Sequence, residues 1–384
     1  ACQDQVLIIA TAQAILALQA AGITPHVIVV VDPQNMGHYF EGYRFEPKTV
    51  LAIGRTCAPS NFELPAHHFV TLPVSAVTDG WIGRILDEDD LLDAGGSVAI
   101  TALSMAIRWS CSSVALIGQD LALQDGQQYA PGTADAGLAW QLPTQGDTAT
   151  LTALPEGLQR MQASSSNSTD AASLTAKLMQ LPGYHGGWVW TKQDYYVFHS
   201  HFEAMARDLQ ADNPSAVTLF NCTEGGASIL GYQQCELQQW LDVHVRHLLA
   251  LDWENEVGPI ERQHQQTGPA AARLAAWKQR TLQALQQGLQ ASIACRRCLD
   301  AAPTQKTLQA LKHHEAQLLQ SLDQLEFLSI AHQQAIMDVL ATIQLAQDLP
   351  SSLQAESELV ALIERALADF APVVQSALHT VSAP

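Results

Sequence analysis

The chain has 384 residues, more than one compact core usually holds, with a hydrophobic fraction of 47% and a formal net charge of −19. Residues 1–150 carry five Lys/Arg against fifteen Asp/Glu, so nothing supplies the basic stripe that a phosphate backbone requires, and nucleic acid is not an expected partner. No apolar run reaches the length of a bilayer span and no signal-peptide pattern is present, so the chain reads as cytoplasmic.

The chain opens at Ala1-Cys2-Gln3-Asp4, with no methionine, directly ahead of an apolar strand over 6–10, and so reads as incomplete at that end. A helix over 12–21 closed by Gly22 and a strand over 27–31 ending at Asp32-Pro33 follow. Strands over 50–53 and 68–72, a helix over 97–109 and a strand over 113–117 keep the alternation. Fully apolar strands alternating with helices imply an α/β fold, a Rossmann-like, mostly parallel sheet covered on both faces. Residues 121–182 lose this rhythm. Gly126, Pro131, Gly132, Gly146 and the polar run 164–169 read as a long excursion on the ligand side of the sheet. A strand over 187–191, a helix over 193–209 and a strand over 217–220 return to the core. From 237 onward Ala, Leu, Gln and Glu dominate, which gives an α/β domain over 1–236 and an all-α domain over 237–384.

Seven scattered cysteines fit reduced thiols better than a disulfide framework. Cys295 and Cys298 form a CxxC within a helical pattern without a second pair, so they read as helix-face thiols, and no metal site is expected. The acidic cluster 87–90 reads as a solvated segment. His199 and His201 read as packing or surface residues of a helix, whereas His185 lies in the glycine-rich loop Gly183-Tyr184-His185-Gly186-Gly187 and could act as a base.

The chemistry concentrates where strands end, as in open α/β sheets generally. Gly95-Gly96-Ser97 opens a helix: it is either an anion site built from backbone N–H groups or a tight turn that uses glycine for positive φ. Asp32 and Asp120 follow apolar strands, where a carboxylate can hold a ribose hydroxyl or act as a base, or serves as a helix N-cap or solvated turn residue. Asn221-Cys222-Thr223-Glu224-Gly225-Gly226 follows the strand at 217–220 and puts a third carboxylate near the same edge.

The segments GGSVAITALSMAIRWSCSSVALIGQDLALQDGQQYAPGT, GYHGGWVWT and LFNCTEGGASILG, in this order and spacing, resemble the motility-associated factor (Maf) glycosyltransferases, bacterial enzymes that modify flagellin. The opening VLIIATAQAILALQAAGITPHVIVVVDP is similar too, so the resemblance covers about residues 5–235. It implies a sialyltransferase-like core and transfer of pseudaminic or legionaminic acid from a CMP-activated donor to Ser/Thr of flagellin, for flagellar assembly and motility. It implies no tightly bound cofactor, with Mg²⁺ at most an activator. Asp120 and Glu224 would be catalytic. Thr11, Ala12, Asp32, Gly95, Gly96, Ser97, Asn221, Thr223, Gly225 and Gly226 would bind the donor. His185 and Tyr129 would be secondary; Tyr129 stands where relatives often carry His. The family's glycine-rich turn ahead of the first strand is absent here. Two other readings share these residues: a diphosphate transferase like the archaeal 6-hydroxymethylpterin pyrophosphokinases, and a non-enzymatic flagellin-binding module.

Overall fold

The computed structural model describes residues 2–75, 78–86, 91–153, 175–212, 217–246, 248–253 and 268–325, with short pieces between 353 and 367. The acidic cluster 87–90 and the polar run 164–169 lie outside them. In chain order the strands are β1 (Ile9–Thr11), β2 (Val27–Val30), β3 (Val50–Gly54), β4 (His68–Leu72), β5 (Ser113–Leu116), β6 (Ala139–Gln141), β7 (Thr148–Ala153), β8 (Thr175–Pro182), β9 (Trp188–Lys192), β10 (Thr218–Asn221) and β11 (Gln233–Gln234). The helices are α1 (Ile15–Ala20), α2 (Thr78–Leu86), α3 (Val98–Arg108), α4 (Gln193–Asp212), α5 (Leu237–His244), α6 (Gly268–Leu299) and α7 (Gln305–Gln324).

Two compact units result. The first comprises residues 1–75 and 90–262, the second 76–89 and 263–384. In the first, β1-β2-β3-β4 form a parallel sheet and β11-β10-β5 a second one. The apolar, fully buried runs of β2 and β3, the first wholly β-branched, are what strands covered on both faces require. Helix α3 serves both parallel sheets: Met105 packs with Val27 and Val29, while Ile100 and Leu103 pack with Leu116 and Leu219. It ends because Ser110 turns left-handed at φ 60°, letting Cys111 N–H reach Ala106 O and Ser110 N–H reach Ile107 O. Helix α1 ends the same way with Gly22 at φ 70°.

The stretch read as an irregular excursion supplies β6, β7 and β8 of a four-stranded antiparallel sheet, β6-β7-β8-β9, and the strand expected over 187–191 as a return to the core is its fourth member. Leu123, Ala149 and Leu178 fill its core beside Trp140 and Trp190. Its strands are short and rich in Ala, Thr and Gln, so their alternation carries little hydrophobic contrast. Helix α5 packs within the first unit, where Trp240 Nε1–H donates to Ser113 Oγ at 3.1 Å.

The second unit is helical. Ala284, Ala291 and Cys295 of α6 face Leu311 and Leu318 of α7, with Leu359 and Ile363 closing the core. Gly288 lies at the contact of α6 with Ser321 of α7 and Leu367, where a Cβ would make ordinary van der Waals contact at 3.4 and 3.5 Å. Helix α2, which the sequence reading left within the α/β domain, joins this bundle, its Trp81 ring edge-on to Trp277 at 5.3 Å.

Candidate active site

The C-terminal ends of the paired strands β5 and β10 are bound into one knot. Asn221, fully buried, accepts the Thr223 N–H on Oδ1 at 3.2 Å and donates from Nδ2 to Ala227 O at 3.2 Å, closing the loop 221–227 on itself. The loop after β5 docks against it: Gln119 N–H donates to Thr223 Oγ1 at 3.0 Å, and Asp120 O accepts the Ala227 N–H at 2.8 Å. Glycine is required at Gly226, at φ 67°, where a Cβ would strike the Asp120 backbone, whereas a Cβ on Gly225 would meet the movable end of the Gln124 side chain. Burial pushes the Asp120 carboxyl above its usual range, so the anion there is poorly solvated and correspondingly basic.

A third wall comes from the β8–β9 hairpin. Tyr184 N–H donates to Gly226 O at 2.8 Å, Tyr184 O–H to Cys235 O at 3.2 Å, and His185 Nε2 lies 3.0 Å from Glu224 O. Glu224 itself is left-handed at φ 63°. Its Oε1 accepts the N–H of Leu237, first residue of α5, at 2.8 Å. A carboxylate at that helix start satisfies an otherwise unpaired amide and meets the positive end of the dipole. One oxygen of Glu224 is thus committed to structure and the other is not used by this bond.

Non-glycine residues with positive φ cluster here: Leu121 at 50°, Asp125 at 49° and Glu224 at 63°. Asp125-Gly126 is the tight turn between the bridged residues Gln124 and Gln127, which explains the first of the two loop-tip angles. Leu121 and Glu224 have no such excuse; each costs about 1 kcal/mol or more, and such strain gathers at functional sites.

The corner Gly95-Gly96-Ser97 is built on other elements. Asp93 Oδ1 takes the Gly95 N–H at 3.1 Å, and Asp93 Oδ2 pairs with His201 Nε2 at 2.7 Å. Gly95 is at φ 47°, where a Cβ would lie 2.6 Å from His201 Cδ2, and Gly96 is at φ 77°. The Ser97 N–H is taken by Ala94 O and its side chain makes no cap bond. At Gly95 the tight-turn reading therefore holds, with a carboxylate on the amide offered to phosphate. Thr11, Ala12 and Asp32 form a further group at the ends of β1 and β2. Asp32 Oδ1 accepts the Gln34 N–H at 2.8 Å, a turn-closing role, and Thr11 precedes the 3-10 turn Ala12–Ala14. Nearby, Ala134 N–H donates to Gln13 O at 3.3 Å, and Tyr39 O–H donates to buried Asp135 at 2.8 Å, fastening the excursion to this edge. Tyr129 lies beside Gln128 and Tyr195, whose hydroxyl donates to Gln128 O at 3.4 Å, with Lys192 Nζ 5.0 Å from the Tyr195 ring centre. Burial pushes the Tyr129 phenol up, away from any basic role at neutral pH.

Of the residues singled out in the sequence, Asp120, His185, Asn221, Thr223, Glu224, Gly225 and Gly226 are joined in one knot. Asp93, Gln124, Tyr184 and Asp135 are the neighbours that sequence reasoning missed. Asp93 lay two residues before a glycine corner and could have been read as its cap; Gln124 and Tyr184 lie inside the quoted motif segments without having been singled out, and Asp135 carries no motif signal. Among the described residues no three His, Cys, Asp or Glu side chains group as metal ligands would, and no helix is long and apolar enough to cross a membrane.

Residues 1–126 match the protein family described as 6-hydroxymethylpterin diphosphokinase MptE-like. The whole chain aligns with the solved structure of a Maf glycosyltransferase from Magnetospirillum magneticum AMB-1, at a TM-score of 0.52 and 14% identity. The chain has the fold of a Maf glycosyltransferase. The resemblance carried by the sequence motifs therefore holds at the level of architecture. The alignment takes in 100% of this chain and 53% of that one, so the chain spans about half the length of the Maf structure. No curated protein matches it in sequence.

Proposed function

We propose that the chain carries the donor-handling core of a glycosyltransferase that moves a nonulosonic acid, pseudaminic or legionaminic, from a CMP-activated donor to Ser/Thr hydroxyls of flagellin. The observation that carries this reading is the knot at the ends of β5 and β10, where a poorly solvated Asp120 and a strained, half-committed Glu224 are fixed together by glycine contacts. Transfer from such a donor develops positive charge at the anomeric carbon, needs a base for the acceptor hydroxyl, and releases a phosphate. Asp120 serves as the base, since burial strengthens its hold on a proton. The second carboxylate oxygen of Glu224 stabilises the cationic centre. The phosphate is met at the start of α3 by the first-turn amides of Val98 and Ala99, which have no partner within the helix, because the Gly95 amide belongs to Asp93. Thr11, Ala12 and Asp32 contribute to the nucleotide side.

The test is incubation of the chain with CMP-pseudaminic or CMP-legionaminic acid and flagellin, following CMP release and the mass added to flagellin. Added mass equal to one nonulosonic acid residue is expected; CMP affinity without transfer under either donor would refute the catalytic reading, and no CMP affinity would favour a flagellin-binding module. The family described for residues 1–126 supports a second reading, diphosphate transfer from ATP to a hydroxymethylpterin. AMP release dependent on the pterin and Mg²⁺ would establish it instead.

A further inference from the structure

We propose that Cys222 and Cys235 are a reversible disulfide pair that switches the Glu224 loop. The two residues continue the parallel register of β10 and β11, one step beyond the partners Asn221 and Gln234, and Cys235 N–H donates to Asn221 O at 3.4 Å. Their sulfurs lie 3.6 Å apart. Neighbouring positions on paired strands fall within the Cα separation a disulfide spans, so a sulfur approach of about 1.5 Å to the bonded length of about 2.05 Å is the main adjustment needed. The partner strand is two residues long and exposed, which lets it yield.

The pair is wired to the loop at both ends. Cys222 stands two residues before Glu224; Cys235 stands two before Leu237, whose N–H holds the Glu224 carboxylate, and Cys235 O receives the Tyr184 hydroxyl. Cys235 is partly exposed and Cys222 buried. Burial and the neighbouring Cys235 push the Cys222 thiol up to about 12, so Cys235 is the sulfur that meets an oxidant. With a hydroperoxide, the Cys235 thiolate attacks a peroxide oxygen, the O–O bond breaks, and the departing hydroxide (or alkoxide) takes a proton, leaving a sulfenic acid. Cys222 sulfur then attacks Cys235 sulfur, the S–O bond breaks, and the thiol proton leaves with the hydroxide as water. A dithiol reductant reverses the bridge.

The test treats the intact chain with hydrogen peroxide, blocks free thiols under denaturing conditions, and maps the peptides. A Cys222–Cys235 cross-link, removed by dithiothreitol, is expected, with five of the seven thiols still blocked (seven less the pair). Cys235→Ser should form no cross-link at Cys222. Quantitative blocking of Cys222 in the peroxide-treated wild type, or its bridging to another cysteine, would overturn the proposal. The switching role rests on the glycosyltransferase reading and has its own readout: CMP affinity should change several-fold on oxidation and return on reduction in the wild type, and stay constant in Cys235→Ser. A bridge that leaves measurable CMP affinity unchanged overturns the switch, whereas absence of CMP binding in the reduced chain counts against the glycosyltransferase reading while the peptide map still decides the pair.

Discussion

Glu224 has two kinds of contact, and substitutions separate them. Its Oε1 caps α5 through Leu237 N–H. Glu224→Gln keeps an acceptor oxygen and removes the charge, so stability should stay within about 0.5 kcal/mol while transfer falls by about 10²-fold or more. Glu224→Ala also loses the cap and should cost about 1 kcal/mol in chemical denaturation. Near-normal transfer by the Gln variant would confine the residue to capping. Asp120 makes a pH prediction. Burial raises its carboxyl above the ordinary carboxylate value, so the folded protein holds this proton more tightly than the unfolded chain. The residue then costs nothing below the unfolded pKa, and the cost grows as pH rises from there through the folded pKa. Asp120→Asn should therefore be more stable than the parent at neutral pH, with the difference vanishing in acid. Denaturation midpoints at pH 3 and pH 7 check this, and a variant less stable at both would contradict it.

Among the elements, the left-handed helix ends and the close loop contacts are separately testable. Ser110 terminates α3 at φ 60° without a glycine, so Ser110→Gly should stabilise by about 0.5–1 kcal/mol with no change in transfer. Gly226→Ala should do the reverse, costing about 1–3 kcal/mol through its positive φ and its Cβ against the Asp120 backbone. Thermal midpoints of the two variants read both effects. The core elements were legible in the sequence because β2 and β3 are unbroken apolar runs and α3 carries a clean helical period, and their ends differ by one residue; β1 begins at Ile9 rather than at 6, and the helix expected over 12–21 is a 3-10 turn followed by α1. Of the antiparallel sheet only β9 was legible, because β7 buries only Ala149 and Leu151 among exposed residues, and the glycines around it look like loop punctuation. In the same way the Asn221–Gly226 loop could be placed at a strand end from sequence, whereas the pairing of Asp93 Oδ2 with His201 spans 108 positions, and no local pattern reports it.

The whole chain divides so that residues 76–89 group with the C-terminal helices. Deleting 263–384 alone would strip α2 of its bundle partners and expose Trp81, so the first unit is best isolated by also replacing 76–89 with a short polar linker. That protein should unfold cooperatively. The helical unit, in the proposed reading, recognises the protein acceptor: CMP binding should survive its removal and flagellin binding should disappear in a pull-down. Retained flagellin binding by the folded first unit would place the acceptor surface there instead.

In the proposed reading the β5–β10 knot performs the transfer, and the direct measurement is the rate of nonulosonic acid transfer to flagellin by the full chain beside its Asp120→Asn variant at equal, saturating donor. Loss of a general base should lower that rate by about 10²–10⁴-fold while CMP affinity stays within a few-fold. Equal transfer rates for the two proteins would contradict the account.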